Sequence, residues 1–253
     1  MNKDNFLISI ITPSFNSEKY IKDTILSVIN QTYKNWELII IDDCSTDNSL
    51  SIIKSFSKND SRINYFKNKT NSGAAVSRNL GLEKSLGRFV SFIDSDDVWY
   101  PEKLDLQINF MLDNDYTISF TSYGLIDTQG NLLNKIIRSV KEIDYQGYMK
   151  NTIIGMSTSM IDTSKTDSFK FINIRTRQDT YLWITLLKRG LKAHGINLVL
   201  ANYRVRNESI SSNKFQAAKR VWFLYYNLEN LGYFKSLYFF SFYLFNALKK
   251  RFL

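Results

Sequence analysis

The sequence predicts an α/β fold in which helices flank a mostly parallel central sheet. Short, continuous apolar runs, typical of strands buried on both faces, occur at residues 7–11, 38–41 and 89–93. Segments with the apolar spacing of amphipathic helices separate these runs. This alternation is the pattern of βαβ units, whose sheet is covered by helices on both sides.

The first half of the chain carries this pattern most clearly. Predicted strands lie at residues 7–11, 38–41, 63–66 and 89–93, and predicted helices at residues 17–31, 47–57 and 73–86. The second half is less regular, with a strand at 117–123, a hairpin turn at 127–130, a helix at 178–189 capped by Gly190, and a strand at 198–203. We therefore expect one domain over residues 1–212, with halves at 1–115 and 116–212.

Residues 213–253 form a separate basic, aromatic tail with a predicted helix. Its longest uncharged stretch, residues 236–248, is too short to span a bilayer but suits a helix lying in the membrane interface. The alternative is a helix packed on the domain or on a second subunit of a homodimer. With a polar start at residues 1–5 and no apolar run of about 20 residues, we expect a cytoplasmic protein, at most peripheral on the inner face of the membrane.

The composition limits the classes of ligand that we expect the protein to bind. Lys plus Arg is 33 and Asp plus Glu is 24, which gives a formal charge of +9. The basic residues are dispersed without a nucleic-acid signature, so we expect phosphorylated ligands or anionic lipid and no nucleic acid. Cys44 is the only cysteine, which excludes an internal disulfide, favours a reducing compartment, and is interpreted as a small buried filler. His194, the only histidine, is interpreted as structural.

Two acidic clusters follow predicted strands. Asp42 and Asp43 end the second strand, and Asp94, Asp96 and Asp97 end the fourth. The carboxyl ends of parallel strands share one edge of the sheet, where ligands bind. Three carboxylates within four residues repel one another unless a cation holds them, and Mg²⁺ or Mn²⁺ carrying phosphates fits this oxygen-rich site. The alternative is a solvated acidic turn.

Five motifs in order resemble the family 2 glycosyltransferases, which have the GT-A fold and use nucleotide-diphosphate sugars. They are Ile11-Thr12-Pro13-Ser14-Phe15-Asn16, Ile41-Asp42-Asp43-Cys44-Ser45-Thr46-Asp47, Gly73-Ala74-Ala75-Val76-Ser77-Arg78-Asn79, Asp94-Ser95-Asp96-Asp97, and Gln178-Asp179-Thr180-Tyr181-Leu182-Trp183. The resemblance ends near Ser212, after Tyr203-Arg204-Val205-Arg206-Asn207-Glu208-Ser209-Ile210-Ser211, and covers about four-fifths of the chain.

The resemblance implies a donor site. The nucleotide-sugar would contact Pro13, Phe15, Asn16, Asp43, Arg78, Asp94, Ser95 and Asp96. Asp43 would accept the imide N–H of uracil, which selects a UDP-sugar, and Asp42 serves as support at the strand end. Asp96 or Asp97 would ligate Mn²⁺ or Mg²⁺, while Asp94 addresses the ribose or a ligated water.

The resemblance also implies an acceptor site. Asp179 would take the proton of the acceptor hydroxyl, which gives inversion at the anomeric carbon; as an alternative or in addition, it caps its helix. Gln178 and Trp183 would contact the acceptor, with a core tryptophan as the alternative for Trp183. Arg204 and Arg206 would reach a diphosphate, although the histidine that the family often has near Arg206 is missing here.

The sequence thus predicts an inverting, metal-dependent glycosyltransferase. It would move one sugar to a hydroxyl of an acceptor, expected to be linked to a lipid diphosphate, in the assembly of a cell-surface polysaccharide such as O-antigen or capsule. Two alternatives are a sugar nucleotidyltransferase, which would usually have a glycine-rich, lysine-bearing loop where residues 12–17 stand, and a non-catalytic module that binds nucleotide or Mg²⁺.

Overall fold

The computed structural model describes residues 6–206 and 214–252. In chain order the elements are β1 (Ile8–Ser14), α1 (Ile21–Ile29), β2 (Trp36–Asp42), α2 (Ser49–Asn59), β3 (Ile63–Lys67), α3 (Ala74–Lys84), β4 (Phe89–Phe92), β5 (Val98–Trp99), α4 (Lys103–Asp113), β6 (Ile118–Ile126), β7 (Leu132–Ile137), β8 (Glu142–Ile143), α5 (Tyr145–Lys150), β9 (Met160–Asp162), α6 (Gln178–Lys188), β10 (Ala193–Arg204), α7 (Lys214–Phe223) and α8 (Tyr233–Phe252).

One sheet runs through the molecule in the order β3-β2-β1-β4-β9-β6-β10-β5, with β7 beside β6 and β8 beside β10. The strands β1, β2, β3 and β4 are parallel, and Ile10 on β1 lies opposite Leu38 on β2. β9 pairs antiparallel with both β4 and β6, which joins the parallel half to the parallel β6–β10 pair. The predicted mostly parallel α/β sheet is confirmed, and the carboxyl ends of β1, β2 and β4 share one edge.

Apolar side chains cover both faces of the sheet. Ile10 and Ile11 are neighbours on β1, yet they belong to different core clusters because successive strand residues point to opposite faces. One cluster packs under α1 and α4, and the other under α5, α6 and the C-terminal helices. This two-sided burial explains why β1, β2 and β4 are continuous apolar runs.

The predicted elements of the first half are present, with ends shifted by a few residues. β6, α6 and β10 also match predicted segments, and the turn after β6 leads into the antiparallel strand β7. The sequence analysis missed α4, β5, β7, β8, α5 and β9. It was wrong about Cys44, which is half-buried rather than buried and donates from Sγ to the carbonyl of Asn68 at 3.0 Å.

The two C-terminal helices belong to the same core as the sheet. α7 and the π-helical turn after it, Leu224–Leu228, bring Val221, Leu224 and Tyr225 into the cluster under α6, and Tyr225 Oη donates to the carbonyl of Met149 at 2.6 Å. α8 adds the buried Phe239. The tail is therefore packed on the domain, as one of its two interpretations expected. Its predicted boundary at 212/213, like residues 207–211 of the last motif, lies outside the described residues.

The outer side of α8 is apolar and exposed. The side chains with large exposed fractions on this helix are Tyr233, Phe234, Leu237, Tyr238, Phe242, Leu244 and Phe245. The ammonium group of Lys150 lies 5.3 Å from the ring centroid of Tyr238 and 5.1 Å from that of Phe242. Within residues 6–206 and 214–252, no helix is both long and apolar enough to cross a membrane.

Candidate active site

A cleft of about 420 Å³ lies at the carboxyl ends of the parallel strands. Ten of the residues predicted for the site line it together: Pro13, Phe15, Asp43, Arg78, Asp94, Ser95, Asp96, Gln178, Asp179 and Arg206. They come from β1, β2, α3, the turn after β4, α6 and the segment after β10. The sheet therefore gathers side chains that are as much as 193 positions apart in the sequence.

Asp43 anchors the loop that precedes α3. Its Oδ1 accepts from Asn68 Nδ2 at 2.7 Å and from the Ser72 N–H at 2.9 Å, and its Oδ2 accepts from the Gly73 N–H at 2.7 Å. A carboxylate has about four acceptor positions, so these three bonds leave one on Oδ2 for a ligand N–H. Gly73 has φ +88°, a backbone conformation that glycine adopts without strain.

Arg78 connects α3 to the acidic turn. Its Nη2 donates to Asp94 Oδ1 at 2.5 Å, and its guanidinium carbon lies 5.5 Å from the ring centroid of Phe171. The Nε and Nη1 atoms of Arg78 are buried and have no hydrogen-bond partner in the protein. Buried donors are normally satisfied. Because this side chain lines the cleft, its two unused donors fit an anionic ligand.

The acidic turn presents two carboxylates to the cleft. Asp94 is paired with Arg78, and Asp96 Oδ2 lies 2.8 Å from Arg206 Nη2. Burial and then the charge of Asp94 raise the pKa of Asp96, while Arg206 acts in the opposite direction. A divalent cation bound between Asp94 and Asp96 would remove the repulsion between them.

Asp97 does not line the cleft, unlike Asp94 and Asp96, but lines a smaller cavity that also contacts Asp94 and Asp179. Its side chain is 1% exposed; Oδ2 accepts from Ser157 Oγ at 2.5 Å, and Oδ1 accepts from the Arg204 N–H at 3.0 Å. Burial first, and then the charges of Asp96 and Asp94, raise the pKa of Asp97 well above its ordinary value. Because both of its oxygens already accept hydrogen bonds from protein groups, the structure favours Asp96 over Asp97 as the direct metal ligand, and the choice between them stays a prediction.

The remaining pair suits a metal that is held mainly by its substrate. Among the residues that the structure describes, no three Asp, Glu, His or Cys side chains converge into a ready-made metal site. Mg²⁺ characteristically takes one or two protein carboxylates plus substrate phosphates. Asp94 and Asp96 beside a cleft for a diphosphate match that type of site.

Asp179 lines the same cleft as Asp94 and Asp96 of the acidic turn. It is the second residue of α6, whose N-cap is Arg177 at φ +64°, so Asp179 is not the cap. In the described part of the chain, the carboxylate of Asp179 accepts from Thr180 Oγ1 at 3.5 Å. This distance is too long for a strong hydrogen bond. The carboxylate is thus left open to the cleft.

A second cavity of about 180 Å³ adjoins the cleft, and Asp94, Asp179 and Tyr203 line both. Tyr123, Ser157 and Ala201 line its interior. Burial, together with Asp97, raises the pKa of Tyr123 to about 12, so its hydroxyl remains a neutral hydrogen-bonding group. Asp179 therefore has space for ligand on two sides.

Besides Asp97, three predicted site residues do not line the cleft. Asn16 Oδ1 accepts from the Thr46 N–H at 2.8 Å and thereby links the loops after β1 and β2. Trp183 is 0% exposed in the core, which corrects its prediction as an acceptor contact and supports the core interpretation. Arg204 is buried, with Nε donating to the Asp96 carbonyl at 2.8 Å and Nη1 to the Asp127 carbonyl at 3.2 Å, so its prediction as a phosphate contact is corrected too.

Sequence reasoning missed other parts of the site. Ser157 holds the acidic turn, because its Oγ also accepts from the Asp94 N–H at 3.0 Å. Arg175, Tyr203 and Arg220 line the cleft. Arg220 comes from α7, and only the basic character of that tail hinted at its contribution.

Comparison with known proteins decides the family. The model of the family described as "Glycosyl transferase family 2" matches residues 9–183. The chain belongs to glycosyl transferase family 2. It is 47% identical over 245 residues to TuaG of Bacillus subtilis, a glycosyltransferase whose name assigns it to teichuronic acid biosynthesis, with 97% of each chain covered.

A second family 2 relative has a more specific name. The chain is 40% identical over 220 residues to WfgD of Escherichia coli, named UDP-Glc:α-D-GlcNAc-diphosphoundecaprenol β-1,3-glucosyltransferase, covering 87% of this chain and 85% of the relative. These relationships make the protein a glycosyltransferase.

Solved structures confirm the GT-A fold. A 1–349 fragment of Staphylococcus aureus TarS in complex with UDP-GlcNAc matches with a TM-score of 0.70 and 20% identity, over 87% of this chain and 66% of that one. A mannosyltransferase of Pyrobaculum calidifontis in complex with GDP-Man and Mn²⁺ matches with a TM-score of 0.65 and 13% identity, over 85% and 61%.

Proposed function

We propose that this glycosyltransferase is metal-dependent and inverting. It moves one sugar from a UDP-sugar to a hydroxyl of a sugar that is linked to a lipid diphosphate. The observation that carries the proposal is that Asp179, with no strong hydrogen bond of its own, shares one cleft with Asp94, Asp96 and Arg78. A leaving diphosphate and an attacking hydroxyl can therefore approach one sugar from opposite sides.

The donor part of the cleft suits a uridine nucleotide. Phe15 is 47% exposed and offers a ring face, and Asp43 retains one acceptor position for the imide N–H of uracil. Arg78 offers two unsatisfied donors to the diphosphate. WfgD is named for UDP-Glc and the TarS fragment was solved with UDP-GlcNAc, which supports UDP as the nucleotide.

Asp94 and Asp96 are the residues that would hold Mn²⁺ or Mg²⁺. The bound ion would neutralise charge that develops on the departing diphosphate, so the protein needs no acid to protonate it. In the protein itself, Arg206 fixes the carboxylate of Asp96 and Arg78 fixes that of Asp94. Both arginines also contribute positive charge next to the leaving group.

Asp179 acts as the general base. Its carboxylate accepts the proton of the acceptor hydroxyl while that oxygen attacks the anomeric carbon from the face opposite the nucleotide. Attack on that face inverts the configuration, so a UDP-α-sugar gives a β-glycoside. The β-1,3 linkage in the name of WfgD agrees with this outcome.

A lipid-linked acceptor places the protein at a membrane surface. The name of WfgD specifies a GlcNAc-diphosphoundecaprenol acceptor, and that of TuaG specifies teichuronic acid biosynthesis. The exposed aromatic side of α8 and the net charge of +9 suit peripheral binding to the anionic inner face of the membrane. Binding at the membrane face would therefore bring the protein to its lipid-linked acceptor.

The test is a transfer assay with the full chain. A panel of UDP-sugars is offered with and without Mn²⁺ to GlcNAc-diphosphoundecaprenol, and the linkage of the product is determined by NMR. We expect transfer that needs both UDP-sugar and divalent ion and gives a β-linkage. An α-linked product, or full activity in the presence of EDTA, would contradict the proposal.

A further inference from the structure

A third cavity, of about 210 Å³, lies beside the catalytic cleft, and its lining is almost wholly apolar at the surface. It is formed by the segment before α6 and by α7; the lining residues are Ile174, Thr176, Lys219, Arg220, Phe223 and Leu224. Thr176 and Arg220 also line the cleft, so the two spaces adjoin directly. We call this cavity, together with Arg175 at the cleft edge, the acceptor groove.

We propose that the acceptor groove binds the diphosphate and the first prenyl unit of the lipid-linked acceptor. The inference rests on the proposed function, because it concerns the acceptor of that reaction. It adds two recognition elements: arginines that hold the diphosphate and an apolar pocket that holds the chain next to it.

The charge argument starts from the arginines around the cleft. The lining has five of them, Arg78, Arg175, Arg177, Arg206 and Arg220. Arg78 and Arg206 are paired with carboxylates of the acidic turn, and Arg177 Nη2 donates to Tyr243 Oη at 3.3 Å. Arg175 is exposed and makes no hydrogen bond or ion pair with the residues that the structure describes. Arg220 on α7 donates to Gln216 Oε1 at 3.3 Å, so the exposed Arg175 is the arginine on which the charge argument rests.

A second anion would balance this charge. In the proposed function, the donor diphosphate binds beside Arg78 and the acidic turn. Arginine binds phosphate oxygens with paired N–H donors. A second diphosphate near Arg175 and Arg220 is therefore the ligand that the charge distribution favours.

The apolar part of the groove distinguishes a lipid from a simple anion. Phe223 is 48% exposed although it lines a concave pocket, and the buried Leu224 forms part of the same wall. A nucleotide or inorganic phosphate has no hydrocarbon to place there. An amphiphile with its anionic group at Arg220 would place its first carbons against Phe223.

The route out of the groove continues over α8. Trp222, next to Phe223, makes ring contacts with Tyr233 at 5.9 Å and Phe240 at 5.4 Å between centroids. Tyr233 in turn contacts Phe234, which is 84% exposed. A chain leaving the pocket therefore meets the same aromatic surface that is proposed to face the membrane.

The test measures equilibrium binding of a sugar-free probe, so that it does not depend on transfer. Undecyl diphosphate and methyl diphosphate are titrated below their micellar concentrations into the full chain, with UDP and Mn²⁺ present and absent. We expect the undecyl probe to bind about tenfold more tightly than the methyl probe, because several methylenes are buried. We expect UDP not to displace it, because the donor site is separate.

Two variants test the apolar pocket and the arginine separately. Phe223→Ser should reduce the preference for the undecyl probe to less than about threefold, and Arg175→Gln should weaken binding of both probes by about tenfold. The matched controls Leu86→Ser, an exposed apolar side chain outside the groove, and Arg138→Gln, on an exposed segment outside the cleft, should leave both affinities unchanged. Circular dichroism checks that each variant is folded.

Equal affinity of the wild type for both probes, or an undecyl preference that survives in Phe223→Ser, would overturn the inference. Displacement of both probes by UDP would do the same, because it would place them in the donor site. Failure of the proposed function would look different: no sugar transfer in the NMR assay, with selective binding of undecyl diphosphate intact.

Discussion

Replacing Asp97 tests whether its carboxylate has a structural role or binds the metal. In Asp97→Asn, the amide oxygen can still accept from the Arg204 N–H, and Ser157 Oγ can accept from the new NH₂ group. Asp97→Asn also removes the charge whose burial beside Asp96 and Asp94 raises the pKa of Asp97, so its free energy of unfolding should stay within about 1 kcal/mol of the wild type. In Asp97→Ala, both donors lose their acceptor inside the protein, at about 1–3 kcal/mol each. The melting temperature should fall by about 2–4 °C for each kcal/mol in a chain of this size.

The assay pairs thermal unfolding with UDP binding in the presence of Mn²⁺. We expect the melting temperature of Asp97→Asn to stay within about 4 °C of the wild type and that of Asp97→Ala to be clearly lower, with the dissociation constant of UDP staying within about threefold in Asp97→Asn. Asp96→Asn should instead keep its melting temperature and weaken Mn²⁺-dependent UDP binding by about tenfold or more. An Asp97→Asn protein with unchanged melting temperature and lost Mn²⁺-dependent binding would refute this reasoning and restore Asp97 as a ligand.

Three further predictions concern the scaffold. Burial lowers the pKa of His194, which stacks on Tyr116, below its ordinary 6.5. Protons then bind more readily to the unfolded chain, so the free energy of unfolding should decrease as the pH falls below about 6.5; thermal melts at pH 7.5 and 5.5 should show this, and a steeper dependence in His194→Gln would contradict it. Gly81→Ala would place its Cβ within 2.4 Å of Ile11 Cγ2, so chemical denaturation should show a loss of about 1–3 kcal/mol, and a neutral result would refute the packing argument. Trp183→Phe should lower stability by about 1–3 kcal/mol and leave the KM for the acceptor unchanged, whereas a raised KM without loss of stability would indicate an acceptor contact.

The parallel half of the fold could be predicted because its strands are buried on both faces. That burial makes β1, β2 and β4 continuous apolar runs, and parallel pairing brings Asp43 and the acidic turn to one edge. The missed elements lack such a signal. β5 has only two residues and is held by β10, and β7 is largely exposed, so its sequence does not alternate between apolar and polar residues.

The site was harder to predict where contacts are distant in sequence. Asp94, Asp96 and Asp97 are equivalent in a sequence motif, and their roles separate only in three dimensions. The turn is closed by the Asp97 N–H donating to the Asp94 carbonyl at 3.1 Å. Ser157, 60 residues later in the sequence, donates from Oγ to the buried Asp97 carboxylate. Arg204 is a second example, because the buried guanidinium donates from Nη1 to the carbonyls of residues 127 and 128, which are far away in the sequence. No local pattern carries this information.

The most direct test of the central claim measures chemistry and donor binding in the same variant. Asp179→Asn keeps the size of the side chain but removes the base, so we expect sugar transfer to fall by about 10²–10⁴-fold, while the dissociation constant of UDP with Mn²⁺ stays unchanged. Asp167→Asn, an exposed aspartate outside the catalytic cleft, is the matched control and should retain both. Transfer at the wild-type rate in Asp179→Asn would show that another group accepts the proton and would contradict the account.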